Sequence, residues 1–162
     1  MMNAIRPRRY RDSDAAAIHA LIHTTIDTSY SGVYPRRAIA FFKHHHSPEE
    51  IRRRAMEGCT LVIERDGRIV ATGTVKGDYI GGVFVEPGQQ RSGYGRTIMA
   101  HLEQRVRDAD FAAVTLDVSL PSRSFYERLG YRLSDIVRLQ VGEGQTLDYW
   151  VGRKSLTLVA ES

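Results

Sequence analysis

A glycine-bearing segment between a predicted strand and a predicted helix has the spacing of an anion-binding loop. It runs from Val85 to Arg96 and contains Gln90, Gly93 and Gly95. Such a loop places successive backbone N–H groups at the positive end of a helix, where they can bind a phosphate or pyrophosphate. Glycine at positions 93 and 95 removes the Cβ atoms that would hold a ligand away from the backbone.

Two common phosphate-binding loops do not fit this segment. A Walker A loop ends in Gly-Lys-Ser/Thr, and this sequence does not. A Rossmann turn needs a third glycine three residues after the second, where this chain has Ile98. The segment therefore predicts a pyrophosphate site of another type, with an ordinary strand-to-helix turn as the alternative.

A second segment lies downstream of the first. The two segments together are a more specific signal than either of them alone. It contains Ser119, Ser122, Tyr126 and Gly130-Tyr131, at intervals of three, four and four residues. The first segment closely resembles the acetyl-CoA loop of the GNAT superfamily of N-acetyltransferases, with the signature Gln/Arg-x-x-Gly-x-Gly/Ala. The second resembles another GNAT pattern, commonly Asn-x-x-Ala-x-x-x-Tyr-x-x-x-Gly-Phe. It departs from that pattern in having serine at 119 and 122 and tyrosine at 131.

The resemblance implies an acetyl-CoA-dependent N-acetyltransferase, an acyltransferase in which an amine attacks the thioester directly in a ternary complex. It implies that Tyr126 is the general acid, with a core tyrosine as the alternative. A phenol, with a pKa of about 10, is protonated at neutral pH and can give a proton to a departing thiolate, whose pKa is about 8.5. The amine must also lose a proton, for which Asp117 is the first candidate. Glu86 and Asp78 remain open, and each of the three also fits a solvated carboxylate.

The same resemblance implies how acetyl-CoA is held. The amides from Arg91 to Arg96 would face the pyrophosphate, the Gln90 side chain would brace the turn, and strand backbone would contact the pantetheine arm. The two arginines would pair with phosphates or remain solvated. The cofactor-binding residues expected on this basis are Phe84, Val85, Gln90, Arg91, Ser92, Gly93, Tyr94, Gly95, Arg96, Ser119 and Ser122.

Periodicity and turn residues predict the elements that position these groups. Strands are predicted at 6–10, 60–64, 68–76, 79–85, 113–118, 131–141 and 146–152. Helices are predicted from Asp12 or Ser13 through Ile26, at 36–42, from Pro48 to Gly58, at 93–108 and at 122–129, with a loop at 28–35. This order matches the GNAT fold, an α/β (mixed α+β) fold. Its central sheet is mixed, mostly antiparallel and twisted, with flanking helices and two strands splayed apart, here those ending near Val85 and Val118.

Composition limits the other function classes. The 162 residues fit one domain, expected over 1–155 with a C-terminal tail at 156–162. No apolar run approaches the roughly 20 residues that cross a bilayer, and the single Cys59 fits a reducing compartment. We therefore expect a cytoplasmic protein without a membrane partner. The net charge of +4 is spread along the chain rather than in one stripe, so no nucleic-acid partner is expected.

The acceptor amine cannot be identified from the sequence. Tyr30, Tyr34, Phe41, Phe42 and the triplet His44–His46 fall between the first helices, where GNAT folds often form the acceptor pocket. Adjacent histidines point in different directions, so we expect no metal. A non-catalytic acyl-CoA sensor on the same fold is the alternative function, and a homodimer through the closing strands is possible.

Overall fold

Helices cover both faces of one twisted sheet in a computed structural model that describes residues 5–157. Its strands are β1 (Arg8–Arg9), β2 (Cys59–Arg65), β3 (Arg68–Lys76), β4 (Tyr79–Val85), β5 (Ala113–Ser119), β6 (Arg132–Leu133), β7 (Val137–Gly142) and β8 (Gln145–Ser155). Its α-helices are α1 (Ala15–Thr25), α2 (Arg36–His45), α3 (Pro48–Glu57), α4 (Tyr94–Asp108) and α5 (Arg123–Arg128).

The sheet is antiparallel except at its centre, which confirms the predicted fold class. Its strand order is β1-β2-β3-β4-β5-β8-β6, and β7 pairs with the first part of β8. The parallel neighbours β4 and β5 pair only at Tyr79 and Thr115, near the start of both strands. Beyond that point the two strands separate, and a gap opens towards Val85 and Ser119.

A bulge in β4 accompanies this separation. Gly81 pairs with Thr74 and Phe84 with Thr72, so two residues of β4 oppose Gly73 alone. Gly82 lies in this irregularity with a φ of +61°, a left-handed conformation that glycine adopts without steric cost. A bulge of this kind bends and twists its strand, which directs the second half of β4 away from β5.

The alternation of side chains along the strands divides the core into two layers. Leu61 and Ile63 of β2 face α4, where Ile98 and Leu102 are fully buried. Val62, between them in sequence, faces the layer formed by α1, α2 and α3. Each buried aliphatic side chain contributes about 1.5–3 kcal/mol relative to an exposed one, so the two layers fix the sheet from both sides.

Two predicted local signals are confirmed. Ser47 caps α3, because its Oγ accepts a hydrogen bond from the Glu50 N–H at 3.3 Å, and Pro48 occupies the first helical position. Asp66 and Gly67 form the turn between β2 and β3 with φ values of +53° and +76°. Positive φ at both central residues is what a tight hairpin requires.

The predicted loop at 28–35 is wrong over its first residues. The chain continues from α1 into a π-helical turn, Ile26–Tyr30, and α2 extends to His45 rather than ending at 42. Ile26 and Tyr30 are both buried in the layer beneath these helices. Burial of both side chains therefore keeps the backbone helical although the segment is rich in turn formers.

The predicted closing strand at 131–141 is interrupted. Ser134 lies between β6 and β7, its N–H donates to the Val151 carbonyl at 2.9 Å, and its Oγ accepts from the Val151 N–H at 2.9 Å. This local pairing replaces regular strand pairing. The opening strand is also shorter than predicted, since only Arg8–Arg9 pair with β2.

The C-terminal end of the described chain is attached to the sheet. Leu156 is buried in the α4 layer and its N–H donates to the Ala112 carbonyl at 2.8 Å. Residues 158–162 of the expected tail, and 1–4 of the expected domain, lie outside the described residues. In the part of the chain that is described, no helix combines the length and apolar character needed to span a bilayer.

Candidate active site

The start of α4 presents unused main-chain donors. Gly93 precedes the helix with a φ of +83°, and its carbonyl accepts the Thr97 N–H at 3.0 Å. Within residues 5–157, no group accepts a hydrogen bond from the N–H of Gly93, Tyr94, Gly95 or Arg96. A 15-residue helix adds the positive end of its dipole at this point, so the geometry favours an anion.

Side-chain and backbone contacts hold the loop that precedes α4. The Gln90 Nε2 donates to the Val85 carbonyl at 3.2 Å, which is the bracing role predicted for it. The Gln89 N–H donates to the Glu86 carbonyl at 2.9 Å. Because the Val85 carbonyl already accepts from Gln90, a bound pantetheine arm would have to share that oxygen or use a neighbouring one.

The predicted reason for glycine at 95 is wrong. A Cβ on Gly95 would lie 3.0 Å from the Phe125 ring and 3.3 Å from Val85, so the glycine permits close packing of α4 against α5 and β4. Gly93 differs, since a Cβ there would meet no protein atom within 4 Å, and it is the positive φ that requires glycine.

The other predicted cofactor residues divide into exposed and buried sets. Arg91, Ser92 and Arg96 are exposed, and in the described chain neither arginine forms an ion pair. The side chains of Tyr94 and Phe84 are buried in the two core layers. Phe84 is nevertheless among the residues that line the cavity beside the gap between β4 and β5.

The gap between β4 and β5 leads into a cavity of about 280 Å³. Its walls come from the π-helical turn, α2, β4, β5, α5 and the closing strands. Tyr126, Asp117, Ser119 and Ser122 all line it, so the structure brings the predicted catalytic residues and the serines of the second segment together. The loop with the free amides follows the splayed end of β4.

Tyr126 presents an unpaired hydroxyl to this cavity. The residue is 6% exposed, and its ring makes edge contacts with Phe125 and Tyr131 at centroid distances of 5.0 and 5.7 Å. Among the described residues its hydroxyl has no hydrogen-bond partner, yet the oxygen is not sealed from solvent. Burial raises the pKa of Tyr126 above its usual value, so the hydroxyl is a proton donor at neutral pH.

Asp117 is the one of the three candidate bases that lines the cavity. Its Oδ2 accepts a hydrogen bond from the Tyr79 hydroxyl at 3.1 Å. Burial and then the Asp117 charge raise the pKa of Tyr79, which keeps Tyr79 protonated beside the carboxylate. Glu86 instead pairs with Arg68 at 3.0 Å, and Asp78 lies in the turn before β4.

Three hydroxyl groups form a chain on the β5 side of the cavity. The Ser119 Oγ donates to the Tyr30 hydroxyl at 3.0 Å and lies 2.8 Å from the Ser122 Oγ. Burial raises the pKa of Tyr30, while its serine partners act in the opposite direction. Ser119 and Ser122 stand where the usual pattern has asparagine and alanine, and they are hydrogen-bonded to each other. An alanine at 122 could not form this hydrogen bond.

The residues considered for the acceptor pocket do not all reach it. Phe41, Phe42, His45 and His46 line the cavity, whereas His44 and Tyr34 do not. The Tyr34 hydroxyl accepts from the Leu120 N–H and donates to the Asp148 carbonyl, each at 2.8 Å. It is therefore a structural link between the π-helical region and the closing strands.

His46 is held neutral by its surroundings. Burial, followed by the charge of Arg54, lowers the pKa of His46 well below its usual value. The Arg54 Nη2 lies 2.7 Å from the His46 Nδ1, which must accept because a guanidinium has no acceptor. The proton of the imidazole consequently sits on Nε2. Within residues 5–157 no group of three or more potential metal ligands is clustered.

Arg54 and Tyr79 are site residues that the sequence patterns missed. Arg54 lies in a run of three arginines that is typical of a solvated surface, and Tyr79 is the first residue of a strand. A helical wheel carries one usable signal, since Arg54 follows the buried Ile51 by three residues and shares its face.

The fold is similar to solved structures of N-acetyltransferases. A GCN5-related N-acetyltransferase from Rhodopseudomonas palustris is 23% identical, with a TM-score of 0.85 over 96% of this chain and 98% of that one. PaiA N-acetyltransferase from Thermoplasma acidophilum, solved with coenzyme A, is 15% identical, with a TM-score of 0.75 over 94% and 99%. YncA from Salmonella typhimurium, solved with acetyl-CoA, is 16% identical, with a TM-score of 0.66 over 99% and 98%.

Sequence comparison assigns the family. No curated protein matches the chain significantly. Residues 25–144, well over half of the chain, match the family described as the acetyltransferase (GNAT) domain. The predicted coenzyme loop at 85–96 and the second segment at 119–131 both lie within that match. The chain therefore belongs to the GNAT family of acetyltransferases.

Proposed function

We propose that this protein transfers an acetyl group from acetyl-CoA to an amine by direct attack in a ternary complex. The observation that carries the proposal is the shared gap between β4 and β5. At the start of α4, where Gly95 packs against Val85 at the end of β4, main-chain amides lack acceptors, and the cavity holds an unpaired phenol and a carboxylate. A diphosphate, a thioester and an attacking amine each find a chemically matched group along one path.

Coenzyme A would be held mainly by the backbone. Its diphosphate accepts hydrogen bonds from the amides of 93–96, and the free Arg91 and Arg96 side chains add positive charge at the rim. Ser92 lies on the same loop. The pantetheine arm enters between the splayed strands beside the backbone of Phe84 and Val85, and reaches the hydroxyl chain of Ser119 and Ser122.

The chemistry follows from the groups that meet in the cavity. The amine nitrogen forms a bond to the acetyl carbon and the carbon–sulfur bond breaks. A nitrogen that starts as an ammonium loses two protons overall, of which one ends on sulfur and the other is released to solvent through the base. The Tyr126 hydroxyl donates to the sulfur as negative charge develops there. Because burial raises the pKa of Tyr126, the hydroxyl is protonated when the thiolate departs.

Asp117 receives the proton that the amine must lose. One of its oxygens accepts from Tyr79, and the other has no hydrogen-bond partner among the described residues. The attacking amine, with an ordinary pKa of about 10.4 for a lysine-like group, is mostly protonated at pH 7. A carboxylate at the cavity wall supplies the base directly or through one water molecule.

A thiol-release assay with acetyl-CoA and a library of primary amines tests the proposal. We expect release of coenzyme A that depends on the amine, with a stoichiometric acetylated product identified by mass spectrometry. Tight binding of acetyl-CoA without turnover on any amine would instead favour the non-catalytic sensor. The open cavity supports the enzyme, because a sensor without an acceptor has no need for that space.

A further inference from the structure

Arg54 lies between the main cavity and a smaller one that opens beside it. The smaller cavity has a volume of about 240 Å³, and Arg54 forms part of its wall. The two cavities share His45, Tyr79, Gly81 and Gly82 as lining residues. A ligand in the main cavity can therefore extend past the bulge of β4 towards Arg54.

The other charges of the smaller cavity are already neutralised. Arg53 pairs with Glu50 and with Glu57, and the Lys76 Nζ lies 3.0 Å from Glu57. Arg54, by contrast, forms no ion pair with any described residue. Its Nη2 donates to His46, while its Nε and Nη1 have no hydrogen-bond partner within residues 5–157 and are not sealed from solvent.

A half-buried cation without a counter-ion is costly to keep in a fold. Burial lowers the pKa of Arg54 to about 10, so the guanidinium is still charged at neutral pH. The backbone makes room for it, because a Cβ on Gly82 would lie 2.9 Å from the Arg54 Nη1. The arrangement keeps two guanidinium donors open towards the shared lining of the cavities.

We propose that Arg54 binds a carboxylate of the acceptor, so that the substrate is a compound carrying both a primary amine and a carboxylate, such as an α-amino acid. The proposal rests on the proposed acetyl transfer and specifies its substrate class. The amine lies in the main cavity beside Asp117, and the carboxylate accepts charged hydrogen bonds from the open donors of Arg54, first of all from the Nη1 beside Gly82.

His46 is the positioning residue for this guanidinium. Its Nδ1 accepts a hydrogen bond from the Arg54 Nη2 at 2.7 Å, which fixes the plane of the guanidinium. The ring is itself held by its edge contact with Phe84 at a centroid distance of 5.0 Å. The Arg54 side chain is therefore already ordered, with two donors available, and loses little conformational freedom when the acceptor binds.

The test compares the common L-α-amino acids with their amides as acceptors. In thiol-release assays at saturating acetyl-CoA we expect the acids to have kcat/KM values about ten- to a hundredfold higher than the amides. The difference should reside in KM. Arg54→Gln should remove the preference and Arg54→Lys should restore part of it. Arg52→Gln, an exposed arginine on the same helix, serves as the matched control and should retain the preference.

Calorimetry of the non-reacting complex separates this inference from the proposed function. With coenzyme A bound in place of acetyl-CoA, the acids should bind the wild-type protein about ten- to a hundredfold more tightly than the amides. Equal affinity of acids and amides, or no binding of any acid, overturns the inference even when other amines are acetylated. Absent thiol release from bound acids would instead contradict the proposed catalysis while leaving the carboxylate site in place.

Discussion

The start of α4 and the cavity beneath α2 present two different kinds of surface. At α4 the available groups are main-chain amides, and the nearby side chains are either exposed or turned into the core. In the cavity the available groups are side chains from the π-helical turn, α2, β4, β5 and α5, and burial raises the pKa of Tyr30, Tyr79 and Tyr126 among them. The main-chain amides at α4 suit the same anion whatever the side chains are. The specificity of the cavity, by contrast, can be changed by substituting single side chains.

This difference teaches where each class of mutation should act. Changes at the backbone surface should alter coenzyme affinity or folding, since amides cannot be removed by substitution. Changes in the cavity should alter kcat, KM or pH dependence while coenzyme affinity stays the same. The following experiments test that division, beginning with the largest expected effect.

Tyr126→Phe should lower kcat by about 10²- to 10⁴-fold, the usual range for loss of a positioned acid. Acetyl-CoA affinity and stability should change little, because the lost hydroxyl has no hydrogen-bond partner among the described residues. Tyr131→Phe is the contrasting variant, since its hydroxyl donates to the buried Glu103 at 2.7 Å. It should lower the free energy of unfolding by about 1–3 kcal/mol. Steady-state kinetics and urea denaturation distinguish the two, and a Tyr126→Phe enzyme of normal kcat would remove Tyr126 from the mechanism.

Asp117→Asn should lower kcat by about tenfold to a hundredfold, less than the loss of Tyr126, because water reaches the exposed position. The remaining rate should rise with pH towards the amine pKa of about 10.4, as more of the amine becomes neutral. A pH–rate profile of the variant measures this. If the pH–rate profile and kcat of the variant were unchanged, water alone and not Asp117 would act as the base.

Gly95→Ala and Gly93→Ala should separate packing from ligand contact. At 95 the new Cβ meets Phe125 at 3.0 Å, so the free energy of unfolding should fall by about 1–3 kcal/mol. The double variant with Phe125→Leu should recover part of that loss. At 93 the Cβ meets no protein atom, and the strain at φ +83° costs about 1–2 kcal/mol. In addition to this loss of stability, Gly93→Ala should weaken acetyl-CoA binding. If titrations gave the same acetyl-CoA affinity for both variants, packing at 95 and ligand contact at 93 would not be separate roles.

The smallest expected effect is a pH dependence of stability from His46. Its pKa is lowered in the folded state, so below its unfolded pKa of about 6.5 the unfolded chain binds a proton that the folded chain does not. Stability should therefore be complete above pH 6.5 and fall as the pH drops below it, by at most about 1.4 kcal/mol per pH unit. His46→Gln should reduce this slope in urea denaturation between pH 7 and pH 5. A slope unchanged in the variant would assign the effect to other groups, such as His45, whose pKa is lowered in the same direction.

The two surfaces also differ in how far the sequence could predict them. The residues of the loop at 85–96 are contiguous in sequence, and the spacing of its glycines indicates the backbone conformation it needs. The position of the loop and the bracing by Gln90 were therefore predictable. Even there the packing of Gly95 against Phe125 was not, because it depends on a residue in another element. Local patterns describe local geometry.

The cavity depends on long-range contacts that no local pattern contains. Arg54 and Tyr79 become site residues through contacts with other elements. Arg54 of α3 lies against Gly82 in the bulge of β4, and the Tyr79 hydroxyl donates to Asp117 of β5. The helical course of Ile26–Tyr30 likewise follows from burial against α2 and β4 rather than from propensity. Tertiary packing decided both outcomes.

The central claim is that the free amides at the start of α4 bind the diphosphate of coenzyme A. Calorimetric titration with acetyl-CoA and with S-acetylpantetheine, which lacks the diphosphate and the nucleotide attached to it, tests it most directly. We expect acetyl-CoA to bind at least about a hundredfold more tightly, since charged hydrogen bonds at this site contribute about 1.5–3 kcal/mol each. Equal affinity for the two ligands, or no affinity for acetyl-CoA, would contradict the account.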